Sequence, residues 1–258
     1  MSNFSIGEVE NEEYYILLET AIRELFDMAK EKNELHFALA LNPEFRGTQS
    51  EGWNTALEAI KAFDEYIDFL NDGDMTSVKA RVALGFYTHM AEASGLYEVP
   101  KNMLLIADEE PYSLWPFQTL VDRHRITGNL ISPNANKILK DLAGHAKNLE
   151  LNDLALCFRD SFNSDLRNGY AHADYIIWDD GIRLRNRNGG NPKIVNWSDF
   201  QYYLARGIDF FTTIRAISLE YKKIYEPEKK IMGSLGGEPI SEWTIGFNST
   251  IGALSVSG

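Results

Sequence analysis

The fold of this chain is decided by residues 151–172, which read LNDLALCFRDSFNSDLRNGYAH. Apolar side chains recur in this stretch at the three- and four-residue spacing of one helix face. They are Leu151, Leu154, Ala155, Phe158, Phe162 and Leu166. A separate, polar side of the same helix carries Asp160, Asn163, Ser164 and Arg167. The pattern predicts one long amphipathic helix whose apolar side packs against other helices.

Helices are also predicted on both sides of this stretch. Helical spacing of apolar residues predicts three earlier helices, over residues 10–32, 53–70 and 77–94. Ser132-Pro133 predicts the start of another helix that ends near residue 149. Ser198 and Gln201 form a capping-box pattern, which predicts the start of the last long helix. Residues 96–131 hold three of the eight prolines and are predicted to be an irregular connector with short helical pieces.

A β-hairpin is predicted directly after the decisive stretch. Residues 175–178 and 182–185 are strand-like, and Asp180-Gly181 between them is a strong two-residue turn signal. The predicted fold class is therefore mainly α, a helical bundle with a small β-hairpin inserted before the last long helix. The predicted organisation is one helical domain over 1–226 and a Gly- and Ser-rich tail over 227–258 with weak strand character.

Composition limits the class of protein and its compartment. With 44% hydrophobic and 12% aromatic residues, the chain is typical of globular proteins. The single cysteine, Cys157, fits a reducing compartment, and no run approaches the roughly 18 apolar residues of a membrane span. Without features of a secretory signal at the amino terminus, we expect a cytoplasmic protein with no membrane contact.

The net charge of −13 argues against a protein that coats nucleic acid by long-range attraction. A local cationic cleft remains compatible with this charge, because salt screens exposed charges beyond about 10 Å.

Arg167 and His172 are the residues with the clearest chemical potential. On an unbroken helix, side chains five residues apart diverge by about 140°, so the two can converge only if the helix ends between them. Gly169 is the predicted break, because glycine is a poor helix residue and is common at helix ends. A guanidinium binds phosphate oxygens, and an imidazole exchanges a proton near neutral pH. The pair therefore suits phosphodiester chemistry.

The string Leu166-Arg167-Asn168-Gly169-Tyr170-Ala171-His172 resembles the R-x(4–6)-H signature of the HEPN superfamily, including the polar residue after the arginine. The resemblance covers mainly residues 132–222, the motif-bearing core. It implies a helical bundle that dimerises, so that two Arg/His pairs face each other across one cleft. Many such proteins are metal-independent endoribonucleases of toxin–antitoxin or phage-defence systems.

The resemblance also implies roles for three residues of this chain. His172 would be the general acid or base, Arg167 would hold the scissile phosphate, and Asn168 would position the substrate or the histidine. The implied reaction is attack of the ribose 2′-hydroxyl on the adjacent phosphate, with no metal or other cofactor. The implied partners are RNA, a second copy of the chain, and an antitoxin or other protein.

Other interpretations of the motif stay open. Arg167 and His172 are also suited to a structural role, because cations near a helix C-terminus stabilise it by about 0.3–1 kcal/mol. Asn168 has an equally plain alternative as a hydrogen-bonding residue at the helix end. A catalytically inactive module of the same fold, binding a protein partner or a nucleotide, is the alternative function. In a third interpretation the scaffold is unrelated and the motif is a coincidence.

Cationic residues gather after the motif. Arg183 and Arg185 alternate with apolar residues and so project from one face of a strand, Arg187 continues the series, and Lys193 follows. This stretch is the candidate RNA-binding surface, and the alternative is a solvated hairpin face balanced by acidic neighbours. A second cluster, Arg123-His124-Arg125, either extends the same cleft or is an exposed loop.

The remaining candidates are predicted to be structural. His36, His89 and His145 lack the spacing of metal ligands, so no metal site is predicted. Cys157 lies on the long helix away from any group that would activate a thiol, and it is predicted to be a core residue.

Overall fold

The computed structural model describes residues 12–42, 55–74, 76–186 and 189–258, and this part of the chain is mainly helical. Its helices are α1 (Glu12–Lys32), α2 (Glu34–Ala40), α3 (Thr55–Asn71), α4 (Ser77–Glu92), α5 (Ser94–Ala107), α6 (Ala135–Asn148), α7 (Asn152–Asp160), α8 (Ser164–Ala171) and α9 (Trp197–Lys223). Its strands are β1 (Asp122–Arg123), β2 (Leu130–Ile131), β3 (Tyr175–Trp178), β4 (Gly181–Leu184), β5 (Lys193–Asn196), β6 (Lys229–Gly233), β7 (Ser241–Asn248) and β8 (Ala253–Ser257).

Helix α1 lies at the centre of the core and packs against α5, α7 and α9. Its apolar side, including Leu18, Ile22 and Phe26, is completely buried. Glutamates occupy its first turn and lysines its last turn, which is the arrangement that the helix dipole favours. The predicted helix over 10–32 is therefore confirmed within the described residues.

The helix predicted over the decisive stretch is two helices in the structure. Helix α7 ends at Asp160, and α8 begins at Ser164 with Asn163 as its N-cap. The Asn163 side chain accepts hydrogen bonds from the backbone N–H groups of Asp165 and Leu166, at 3.0 and 3.3 Å. The polar side chain that the helical pattern placed on a solvent face thus starts a new helix instead.

Helix α5 is longer than the short helical pieces predicted for this part of the chain. Pro100 lies inside the helix, and the cost of its missing N–H is offset by burial of the surrounding apolar residues. Tyr97, Met103 and Leu104 are fully buried in the core. Residues 96–131 are consequently part helix and part irregular, with β1 and β2 forming a short hairpin near their end.

Two helix starts differ from their predicted caps. Helix α6 is capped by Asn134 rather than Ser132, and α9 is capped by Asn196 rather than Ser198. Asn196 Oδ1 accepts from the Asp199 N–H at 2.8 Å, and the Ser198 hydroxyl donates to the same oxygen at 2.6 Å. Asparagine caps as well as serine, so neighbouring candidates compete for the position.

The predicted hairpin is present as β3 and β4, but its two turn residues are Asp179 and Asp180 rather than Asp180 and Gly181, because Gly181 already pairs with Trp178 as the first residue of β4. Strand β5 adds a third strand that the sequence did not indicate. We call this three-stranded antiparallel sheet, with β4 in the middle, the motif sheet. Ile177, Ile182 and Val195 lie opposite one another on its inner face, and Ile182 and Val195 are buried. That face packs toward α8 and α9.

Residues 229–257 form a second three-stranded antiparallel sheet, the C-terminal sheet, from β6, β7 and β8. This segment forms three strands, which is more than the weak strand character predicted for residues 227–258. Ile245, Phe247 and Leu254 belong to the same buried cluster as the helices, and Lys229 Nζ lies 2.7 Å from Glu34 Oε1 of α2. The described helices include none with the length and apolarity needed to cross a bilayer.

Candidate functional site

Helix α8 continues through Gly169 and has His172 as its C-terminal cap. Ala173 follows in the left-handed region, with φ of 54°, and the Asp174 N–H donates to the Gly169 carbonyl at 2.8 Å. This is the Schellman pattern of a helix end. The helix therefore ends between Arg167 and His172, and His172 lies just past its end, as predicted. The end is at Ala171, however, so the predicted break at Gly169 is wrong.

Gly169 serves close packing instead of helix termination. A Cβ atom added there would lie 2.6 Å from Leu184 Cδ2 of β4, which is closer than two carbon atoms can approach without a shift. The glycine therefore lets α8 lie directly against the motif sheet.

Arg167 is buried on the side of α8 that faces α4. Its residue surface is only 8% exposed, and its Nη1 pairs with the carboxylate of Glu92. Its Nη2 donates to Asn168 Oδ1 at 2.8 Å, while its Nε has no hydrogen-bond partner among the described residues. The charge of this guanidinium is therefore already compensated within the chain.

His172 lies in a different environment from Arg167, because it is exposed as the C-terminal cap of α8. Arg167 is buried and already paired with Glu92, so its guanidinium is not presented at a solvent-open surface as the motif implied.

Asn168, Arg185 and Lys193 do come together, in a cleft of about 390 Å³ between α8 and the motif sheet. We call it the motif cleft. Two carboxylates share it, since Lys193 Nζ lies 2.6 Å from Asp165 Oδ2 and Arg185 Nη1 lies 3.7 Å from Asp174 Oδ1. Asp165, Arg185 and Lys193 are exposed, whereas Asp174 is half-buried. The pair of Lys193 with Asp165 is therefore of the weak surface type.

Arg183 lines a larger, adjoining cleft of about 640 Å³, together with Ile176 and Arg185. Its guanidinium pairs with Asp180, and this hydrogen bonding holds the pKa of Asp180 below its ordinary value. The same guanidinium lies 5.4 Å from the centre of the Trp178 ring. Arg187, the remaining predicted RNA-binding residue, lies outside the described residues.

The other candidates of the sequence have structural environments. Arg123-His124-Arg125 is exposed around the β1–β2 hairpin, in agreement with the exposed-loop interpretation. Cys157 is fully buried, and burial raises the pKa of its thiol to about 12, as expected of a core cysteine. No group of three or more His, Cys, Asp or Glu side chains suited to a metal ion occurs within the described ranges.

Three acidic residues of this region escaped the sequence analysis. Asp165 and Asp174 lie close to the motif in the chain, and an alternating charge pattern around it was a usable signal for them. Glu92 is 75 residues away from Arg167 in the sequence, and only the packing of α4 on α8 brings the two together. No local pattern indicates such a pair.

Comparison of the chain with protein-family models, with curated proteins and with solved structures gives no match. The chemistry of the site is therefore argued from its own geometry. That geometry offers two exposed cations and an amide in one cleft, with an exposed imidazole at the adjoining helix end.

Proposed function

We propose that the chain binds RNA in the motif cleft and cleaves it without a metal ion, as a dimeric endoribonuclease of the HEPN type with a helical-bundle core. One observation carries the proposal: Asn168, Arg185 and Lys193, each selected from the sequence, line one cleft. His172 is exposed next to Ala173, which lines the adjoining cleft. Phosphate-binding and proton-transfer groups thus occupy one region of the surface.

The cations of the motif cleft are available to a phosphate. Lys193 pairs with the exposed carboxylate of Asp165, and such surface pairs contribute about 0–1 kcal/mol. Arg185 is itself exposed, and its Nη1 is as far as 3.7 Å from Asp174 Oδ1. Exchange of a carboxylate for an RNA phosphate therefore costs little. Because the chain as a whole carries −13 charges, RNA is held by this local group of cations and not by a general attraction.

The proposed reaction needs two proton transfers. The 2′-hydroxyl oxygen attacks the adjacent phosphorus, the bond from phosphorus to the 5′ oxygen breaks, and a 2′,3′-cyclic phosphate forms. A base takes the proton of the 2′-hydroxyl, and an acid gives a proton to the departing 5′ oxygen. One imidazole performs one of these transfers at a time, so a second copy of the chain supplies the other through its own His172. The active form is accordingly a homodimer.

Arg167 has a positioning role in this proposal, which differs from the phosphate-binding role that the motif implies. Its Nη2 fixes the amide of Asn168, and its pair with Glu92 ties α8 to α4. Asn168, which lines the motif cleft, then meets the substrate in a defined orientation.

A second candidate function is favoured by the same ion pair. The pairing of Arg167 with Glu92 removes from the surface the cation that the motif assigns to the scissile phosphate. A catalytically inactive module of this fold, binding a nucleotide or a protein partner such as an antitoxin, fits that observation.

A cleavage assay separates the two candidates. We expect the wild-type protein to cut end-labelled RNA in EDTA, leaving cyclic phosphate ends that mass spectrometry detects. His172→Ala should lose about 10²–10⁴-fold in rate, the usual contribution of a general acid or base. His124→Ala is the matched control, because His124 is also exposed but lies on the β1–β2 hairpin. Equal cutting by wild type and His172→Ala would remove the proposal, and binding without cutting would select the second candidate.

A further inference from the structure

The outer face of the motif sheet carries an unusual set of exposed side chains. Ile176, Trp178 and Ile194 are 58%, 56% and 56% exposed. Ile176 lies opposite Arg183 on β4, and Arg183 lies opposite Ile194 on β5, so one row crosses all three strands. Trp178 occupies the next row, opposite Gly181, where no side chain competes for space. Exposed apolar residues that adjoin in this way indicate a binding surface.

Cations lie within this apolar face and along its edge. Arg183 is in the middle of the row, with its guanidinium 5.4 Å from the centre of the Trp178 ring. Arg185 follows two residues later and so projects to the same side. An aromatic ring next to guanidinium groups is the combination that receives a nucleic acid base and its phosphate.

The face is continuous with the clefts beside α8. Ile176, Arg183 and Arg185 line the larger cleft, and Arg185 also lines the motif cleft. A nucleic acid strand with its backbone at Arg185 therefore has the outer face within reach of its bases.

We infer that the outer face of the motif sheet binds the unstacked bases of single-stranded RNA, with Trp178 as the stacking residue. The inference rests on the proposed function, because it requires RNA in the adjoining cleft. It also selects the substrate class: bases of a duplex are stacked inside the helix and cannot lie on a tryptophan ring. The exposed isoleucines extend the apolar surface on which a neighbouring base lies.

The test compares two tryptophans of equal exposure. Trp178→Ala should weaken binding of a labelled single-stranded RNA by about 5- to 100-fold in fluorescence anisotropy, the range for loss of one base–aromatic stack. Trp178→Phe should restore most of the affinity, because a phenyl ring also stacks. Trp115→Ala is the control, since Trp115 is 57% exposed but lies far from the motif in the chain. A duplex of the same sequence should bind weakly to all four proteins.

Salt dependence distinguishes stacking from charge. Arg185→Ala should lower the slope of log affinity against log salt by about one, while Trp178→Ala should leave the slope unchanged. If Arg185→Ala weakens binding and Trp178→Ala does not, the inference is overturned and the proposed function stands. If the wild type binds no RNA, both are overturned. If Trp178→Ala changes the sedimentation of the protein but not its RNA affinity, the face is a protein interface and the inference is again overturned.

Discussion

The motif sheet and the C-terminal sheet have the same topology but differ in the side chains that they expose to solvent. Each is a three-stranded antiparallel sheet with one face in the core. In the C-terminal sheet Trp243 is half-buried, and its indole N–H donates to the Gly233 carbonyl at 3.2 Å. In the motif sheet Trp178 stands on the open face beside Arg183. Trp243 of the C-terminal sheet is thus partly buried, whereas Trp178 of the motif sheet is exposed to solvent.

One cation beside the motif sheet differs from the charged residues of the C-terminal sheet. Lys229 and Lys230 of the C-terminal sheet each lie 2.7 Å from a glutamate oxygen, and Lys193 of the motif sheet is paired as closely with Asp165. Arg185, which follows β4, is 3.7 Å from its carboxylate and is open to solvent. Under the proposed function, the C-terminal sheet contributes mainly to stability and the motif sheet mainly to binding, and substitutions can break or sharpen this division.

The largest expected effect on stability comes from the C-terminal sheet. Phe247→Ala removes a buried ring from the common core, and we expect the free energy of unfolding to fall by about 3–5 kcal/mol in urea denaturation. RNA affinity of the folded variant should be unchanged. Met232→Ala is the control, because Met232 lies exposed on the same sheet and should change stability by no more than about 0.5 kcal/mol. A large loss of RNA affinity in Phe247→Ala would break the division between the sheets.

A pH effect of intermediate size is expected where the C-terminal sheet meets the connector. His36 Nδ1 accepts from the Tyr112 N–H, and its Nε2 lies 3.1 Å from the Ser234 carbonyl, just after β6. Burial lowers the pKa of His36 below its ordinary value of 6.5. Below pH 6.5 the unfolded chain therefore binds more protons than the folded one, and the contribution of His36 to stability falls as the pH drops toward its folded-state pKa.

Thermal unfolding at pH 7.5, 6.5 and 5.5 checks this effect. The wild type should lose melting temperature below pH 6.5, and His36→Gln, which keeps a donor and an acceptor, should lose less. Burial raises the pKa of Asp209 to about 6, and the contribution of Asp209 to the pH dependence of stability has the opposite sign. Because both proteins contain Asp209, the difference between their profiles isolates the contribution of His36. Identical profiles for both proteins would contradict the prediction.

The smallest effect on stability is expected for Lys193→Met in the motif sheet. Its exposed pair with Asp165 contributes no more than about 1 kcal/mol to folding. RNA affinity should nevertheless fall several-fold, and the slope of log affinity against log salt should be lower by about one. Lys230→Met is the matched control, because Lys230 forms an equally exposed pair with Glu242 in the other sheet. Equal RNA affinities for the two variants would show that the sheets do not differ in function.

Local patterns predicted those elements whose determinants lie close together in the chain. The apolar spacing of α1 was sufficient to predict that helix. The strand-like residues on either side of Asp180-Gly181 were sufficient to predict the hairpin, although its turn lies one residue earlier. The full length of helix α5 was not predicted, because the cost of Pro100 within it is offset by burial, which depends on distant residues. The break before α8 was missed because Asn163 has the same polarity on a helix face as at a helix cap.

The candidate site was predictable in composition but not in geometry. The sequence identified Asn168, Arg185 and Lys193, which share a cleft. It placed Arg167 and His172 together, because nothing near the motif indicated Glu92 as the partner of the arginine. Side-chain burial is decided by packing between elements, and a pattern within one element does not contain that information.

The contact between Gly169 and Leu184 sets the width of the motif cleft. Both residues line the cleft, and at this point a hydrogen atom of the helix meets a methyl group of the strand. A single methyl group added at position 169 would lie 2.6 Å from the end of the Leu184 side chain, so this part of the cleft wall would have to shift. The cleft thus has its helix and its strand in direct contact at a residue that carries no side-chain carbon.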